Sequence, residues 1–235
     1  STGLIEKSQF TNNVAEDNDG AAIFVARPST VTINDGYFRG NKATIHGSGA
    51  ALISKDTDVS IKLTRCTFSG NEAAVSGAAI HVSFASIEIE SCEFEGNKLI
   101  SSGKESALGG GAIALLQNAL FSITDAKFYN NQVQGNGVNG GAILIDSHLD
   151  GAITQSSFTS NKALNSKGGA IFLQLAKTTQ NNFSQAQKNN KDKKNTASKR
   201  ARTQAKAQQL SLFKRIQTLK NRQAIPCRKI LTWRP

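Results

Sequence analysis

Methionine is missing from all 235 residues, and so is any apolar stretch led by Arg or Lys that would read as a signal peptide. Both absences suggest a processed or excised fragment, in which the lack of targeting signals carries no weight. Long apolar runs are missing too. None approaches the ~20 residues a spanning helix needs, so the fragment is no helical membrane span. Acids are scarce in one place only. Ala186–Pro235 carries 15 Lys and Arg against the single acid Asp192, whereas Ser1–Gln185 holds 13 Lys and Arg against 16 Asp and Glu. The formal charge of +11 therefore belongs to the tail, and a nucleic-acid reading of the whole chain is excluded.

The constellations that chemistry requires are also scarce. His46, His81 and His148 fall in separate segments without common spacing, so exposed histidine is expected rather than a metal or triad site. The acid pairs Asp17/Asp19, Asp56/Asp58, Glu88/Glu90 and Glu93/Glu95 stand at outward-alternating or loop positions. Polysaccharide-cleaving enzymes need clustered carboxylates or an acid–base pair; these read instead as solvated surface charge. Asp17-Asn18-Asp19-Gly20 begins like a calcium loop but lacks the remaining ligands. Gly109-Gly110-Gly111 lacks the Lys-Ser/Thr and helix of a phosphate loop. No metal or cofactor is expected.

What is present is a repeat. Six phenylalanines are each followed three residues later by asparagine: Phe10/Asn13, Phe38/Asn41, Phe68/Asn71, Phe94/Asn97, Phe128/Asn131 and Phe158/Asn161. A branched aliphatic always stands five residues before the Phe, as Ile5, Ile33, Leu63, Ile89, Ile123 and Ile153. A second motif follows each pair. It runs from Gly20-Ala21-Ala22-Ile23, Gly49-Ala50-Ala51-Leu52 and Gly77-Ala78-Ala79-Ile80 to Gly110-Gly111-Ala112-Ile113, Gly140-Gly141-Ala142-Ile143 and Gly168-Gly169-Ala170-Ile171. The longest separation between the two motifs, Phe94 to Ala112, carries Ser101-Ser102-Gly103-Lys104-Glu105, which places an insertion on one face.

Alternating runs such as Val59-Ser60-Ile61-Lys62-Leu63 indicate half-buried strands. A unit of about thirty residues with two or three short strands cannot bury its apolar face alone, but stacked units can. The fold expected is all-β: a parallel β-helix of about six coils over residues 1–176, with coils about 4.8 Å apart. Small residues two before the Phe (Ser8, Gly36, Cys66, Cys92, Ala126, Ser156) read as an inward position beside the ring. Gly or Asn two after it suits a left-handed corner. The asparagines would form an amide ladder that satisfies corner backbone groups.

Cys66 and Cys92 occupy the same repeat position in consecutive units, within reach of a candidate disulfide. The alternative is a small residue filling an inward slot. Reduced and non-reduced peptide maps decide between them. Cys227 has no repeat equivalent and reads as a free thiol. Residues 177–235 read as a basic tail, largely disordered, with a short amphipathic helix near 207–222. Such a helix could touch nucleic acid or an anionic membrane. The favoured reading is a solvated tail.

The paired Phe-x-x-Asn and Gly-Gly-Ala-Ile motifs resemble the repeats of chlamydial polymorphic outer-membrane proteins over about Ile5 to Leu175. The pattern departs at Ala21, Ala50 and Ala78, where the second Gly has become Ala. The resemblance implies a right-handed parallel β-helix of the pectin-lyase-like kind. It also implies a secreted or surface-displayed, outer-membrane passenger region that serves adhesion, with a host or neighbouring cell-surface protein or glycan as partner. The reading taken forward is a non-enzymatic β-helix for adhesion or structural display. Its rival is a carbohydrate-active or glycan-binding β-helix using the loop Lys98–Leu108 and the exposed strand face.

Overall fold

The structure is a computed structural model of the chain, and residues 1–101, 107–146 and 151–174 are described. The tail, the helix expected near 207–222, Cys227 and His148 lie outside the described residues, as does the middle of the Lys98–Leu108 loop. The repeat becomes a parallel β-solenoid whose six rungs form four parallel sheets of six strands. The first sheet contains Thr2–Glu6, Ser29–Asn34, Val59–Thr64, Ser86–Glu90, Leu120–Thr124 and Gly151–Thr154. The second contains the phenylalanines, in strands such as Thr67–Ser69 and Glu93–Glu95. The third starts with strands as short as Val14–Ala15 and Lys42–Ala43, and the fourth follows the Gly-Ala motif with strands such as Ile80–Ser83 and Ile113–Leu116. Each rung thus has four strands where two or three were expected. The third-sheet strands are too short for alternation to announce them.

Register is the organising fact. Ile5, Ile33, Leu63, Ile89, Ile123 and Ile153 pair directly, strand over strand, and so do the six phenylalanines. Successive rings lie 4.7–4.9 Å apart between centroids, with planes within 5° of parallel. Parallel rings in contact sit about 3.5–4 Å apart. The larger spacing therefore means that they are slid past each other, the offset arrangement that ring quadrupoles favour. Phe38, Phe68, Phe94 and Phe128 are fully buried; at about 1.5–3 kcal/mol for each buried aromatic, this column supplies much of the main core. Beside it the inward slot must be small. A Cβ at Gly36 would lie 2.9 Å from Ile33 Cγ2 and 3.0 Å from Phe38 Cε2.

Two residues after each Phe the chain turns in the left-handed region, with φ between 55° and 62° at Asn12, Gly40, Gly70, Gly96, Asn130 and Ser160. The constant Asn then closes the corner. Asn71 Nδ2 donates to Asn97 Oδ1 at 2.9 Å and to the Phe38 carbonyl at 3.1 Å, and its backbone N–H donates to Asn97 Oδ1 at 3.0 Å. Its own Oδ1 accepts the same two donors from Asn41. Both amide hydrogens and the carbonyl are satisfied. The pattern runs unbroken from Asn13 to Asn161.

A second, smaller core lies between the third sheet and the Gly-Ala motif. It gathers Ala43, Ala50, Ala73, Ala78, Leu99, Val133 and Val138. Volume is exchanged along it. Where the motif's second residue is Ala50 or Ala78, the facing third-sheet residue is Ala43 or Ala73. Where it is Gly111 or Gly141, the partner grows to Leu99 or Val133, although the last rung pairs Gly169 with the small Ala163. A Cβ at Gly111 would strike the Gly141 carbonyl and the Gln132 backbone. The obstacle at Gly111 is thus backbone of the following rung, whereas Ala50 and Ala78 are accommodated, fully buried, at the same motif position in earlier rungs. One buried hydroxyl, Ser54 Oγ, has no partner among the described residues; it sits in a column otherwise filled by Val82, Leu115 and Ile145, and nothing in the structure explains it.

Replacing Asn71 with Ala leaves the N–H of Asn41 buried without an acceptor. The Asn71→Ala variant is expected to lose about 2–3 kcal/mol of stability, and Asn13→Ala, at the half-buried end of the ladder where the asparagine donates to Asn41 and its loss orphans no donor, clearly less. Denaturant midpoints of the two variants check this; equal, small losses would contradict it.

Candidate functional site

The described residues singled out for chemistry do not converge on one site. Glu88 pairs with Lys62 at 3.0 Å, Glu93 with Lys127 at 3.0 Å, and Asp56 with Arg27 at 3.8 Å. Lys62/Glu88 and Glu93/Lys127 are register neighbours, so these two acids are answered by bases one rung away, whereas Glu90 stands between Thr64 and Thr124 and Glu95 between Ser69 and Tyr129. Asp35 and Arg65 form a two-point pair at 2.8 and 3.0 Å, and the guanidinium holds the Asp35 carboxyl below its ordinary value. Asp17 lies 3.5 Å from His46. Among the described residues no group of three His, Cys, Asp or Glu could hold a metal ion. The start of a calcium loop is put to other use: Asp19 accepts the Ser48 N–H at 2.8 Å and the Lys55 ammonium at 2.6 Å.

Cys66 and Cys92 face inward one rung apart, both buried and both free thiols. The Cys66 N–H donates to Cys92 Sγ at 3.3 Å, and the sulfurs lie 3.3–3.7 Å from the carbonyls of Ile33, Thr64, Leu63 and Glu90. Contact with the Cys66 thiol, and then burial, pushes the Cys92 thiol up. Each sulfur fills the small slot beside the aromatic column.

His81 corrects the expectation of an exposed histidine: it is 4% exposed. In the strand Ile80–Ser83, Ile80 and Val82 face the main core, which sends His81 and Ser83 to the outer face of the fourth sheet. That face is covered by Val75, Ser76 and Leu108, at the connection from the third sheet and the end of the long insertion. The protons there can be assigned. Ser76 Oγ donates to Ser48 Oγ at 3.1 Å, so its oxygen accepts the Nδ1–H of His81 at 2.5 Å. Nε2 is then the acceptor of the Ser83 hydroxyl at 2.9 Å. Each polar atom in this row of hydroxyls around a neutral imidazole has a partner. Burial, and then the positive charge of Lys55, lower the His81 pKa to about 3.

Beside the network opens a cleft of about 430 Å³, with Lys55, Phe84, Gln117 and Asp146 among its lining residues. Leu108 borders it, so this end of the Lys98–Leu108 loop adjoins the cleft. The other expected surface, the outer face of the first sheet, is a shallow groove of about 690 Å³ lined by Thr30, Ser60, Lys62, Ser86 and Glu88 among others. Sequence reasoning missed the cleft. The one signal was His81 standing where neighbouring rungs carry Ile53, Ala114, Leu144 and Phe172.

A neutral buried His makes stability depend on pH. An unfolded histidine binds a proton below about pH 6.5 and folded His81 does not until about pH 3. The unfolded state therefore takes up more protons in that window, and stability falls as pH falls from 6.5. Compared with His81→Gln, the native chain is expected to lose up to about 1.4 kcal/mol more per pH unit over that descent. Unfolding curves from pH 7.5 to 4.5 test this. Parallel profiles would contradict it.

Residues 65–83 and 155–174 match the Chlamydia polymorphic membrane protein (Chlamydia_PMP) repeat. Each segment spans one whole paired motif: Phe68, Asn71 and Gly77–Ile80 in the first, Phe158, Asn161 and Gly168–Ile171 in the second. The chain carries this repeat, folded as a parallel β-solenoid. No curated protein and no solved structure matches it.

Proposed function

We propose that this chain, a carrier of the polymorphic membrane protein repeat, is a non-enzymatic segment displayed on an outer-membrane surface, where its stacked rungs serve adhesion. The matched repeat is that of a membrane protein family, and this carries the reading. The geometry supports it in a second way. The repeated side chains are consumed by packing: Phe by the ring column, Asn by the ladder, Gly and Ala by close approach of the rungs. Contacts to a partner are then left to the outward positions, which differ from rung to rung. In the first sheet one such row reads Leu4, Thr32, Lys62, Glu88, Ser122 and Ala152. A rigid frame with a variable outer face suits recognition of a cell-surface protein or glycan.

The experiment has two arms. Protease shaving of intact cells that make this protein is expected to release peptides from residues 1–174. Beads coated with the full chain are expected to bind host or neighbouring cells saturably, beyond beads coated with an unrelated solenoid. Peptides protected until lysis, or beads no better than control, would count against display and adhesion respectively. New reducing or unsaturated ends from acidic polysaccharides incubated with the chain would replace this reading with an enzymatic one.

A further inference from the structure

Most rungs differ only in ways that packing explains, but several departures meet at the cleft beside the fourth sheet. Ser48, Ser76, His81 and Ser83 form the buried hydroxyl–imidazole row, which fixes one wall. Phe84 follows directly. It sits at φ 59° and is 44% exposed; a left-handed backbone under an aromatic residue carries strain, and the exposed ring adds apolar surface. On the next rung Gln117 stands at φ 50°, and on the rung after that lies Asp146. Neither the Gln117 amide nor the Asp146 carboxylate has a side-chain partner among the described residues. All three line the same cleft.

We propose that this cleft binds a neutral saccharide, with the ring stacked on Phe84 and its hydroxyls bonded to Asp146 and Gln117. A pyranose offers an apolar C–H face and a rim of hydroxyls. The cleft answers with an aromatic face and with polar groups free to donate and accept. Charge selects the neutral class. The cation in the lining, Lys55, is held by Asp19 at 2.6 Å, whereas the Asp146 carboxylate is unanswered and repels a uronic or sialic acid. The cleft floor is rigid because both faces of the strand Ile80–Ser83 are buried. The inference rests on the adhesive reading and gives it a ligand class.

The test titrates the full chain with maltotriose, cellotriose and chitotriose, and with trigalacturonate and sialyllactose as acidic probes. Saturation-transfer NMR and calorimetry read binding. At least one neutral trimer is expected to bind saturably, with its ring C–H protons closest to the protein, and the acidic probes are expected not to. Phe84→Asn removes the ring while keeping a residue suited to the left-handed backbone. It is expected to unfold at the same temperature or higher, yet bind at least about tenfold more weakly. Asp146→Ala is expected to weaken binding similarly. No neutral trimer bound at millimolar concentration, preference for an acidic probe, or unchanged binding by both variants would overturn the proposal. If coated beads still adhere to cells while no saccharide binds, the site proposal falls and the adhesive reading stands.

Discussion

A β-solenoid must solve one problem at every turn: its corner residues leave the sheet while their amides remain buried. In this chain an asparagine three residues after each ring solves it: its backbone N–H and its side-chain amide both donate to the Oδ1 of the next asparagine, and the amide also donates to the carbonyl one rung back. The solution works only when rungs stack in exact register, because each amide needs its copy directly above it. An orphaned buried donor costs about 1–3 kcal/mol, so a slip of one residue would be penalised at each corner at once. The aromatic column enforces the same register independently, through six rings that remain parallel only if every rung repeats the offset between Phe and Asn. The two columns share one constraint.

From that constraint follows the division between frame and variable surface. Positions that face the core or close a corner are held to Phe, Asn, small residues and branched aliphatics. Positions that face out are joined by exposed cross-rung contacts such as the Lys62/Glu88 pair and the Ser91–Asp125 hydrogen bond, and exposed ion pairs contribute little stability. Outward residues can therefore change without disturbing the stack. The fourth sheet is the exception. Both of its faces are buried in the middle rungs, which allows a polar network to be buried on the outer side, as happens around His81. Function that requires fixed side-chain positions fits best there.

The aromatic and amide columns were legible in the sequence because the same residue types recur at fixed offsets, and repetition reports stacking directly. The left-handed corner after Phe was legible through Gly40, Gly70 and Gly96. Its counterpart three residues before Phe was not: Lys7, Asp35, Arg65, Ser91, Asp125 and Gln155 all have φ between 47° and 54°, without a single glycine to mark them. The third sheet escaped notice because strands like Glu72–Ala73 are two residues long. His81 was misread because Ile80-His81-Val82-Ser83 alternates like a half-exposed strand. Its cover comes from Ser76 and Leu108, residues whose placement no periodicity encodes. The approach of Phe84, Gln117 and Asp146 was invisible for the same reason, since they belong to three different rungs.

Side-chain amide exchange tests the in-register ladder most directly. NMR of the labelled chain resolves the Nδ2 hydrogens of Asn41, Asn71, Asn97 and Asn131. These are predicted to exchange slowly, near the rate set by opening of the stack, with ring-to-ring contacts linking Phe38, Phe68, Phe94 and Phe128 in that order. Rapid exchange of those amides, or ring contacts in any other order, would contradict the account.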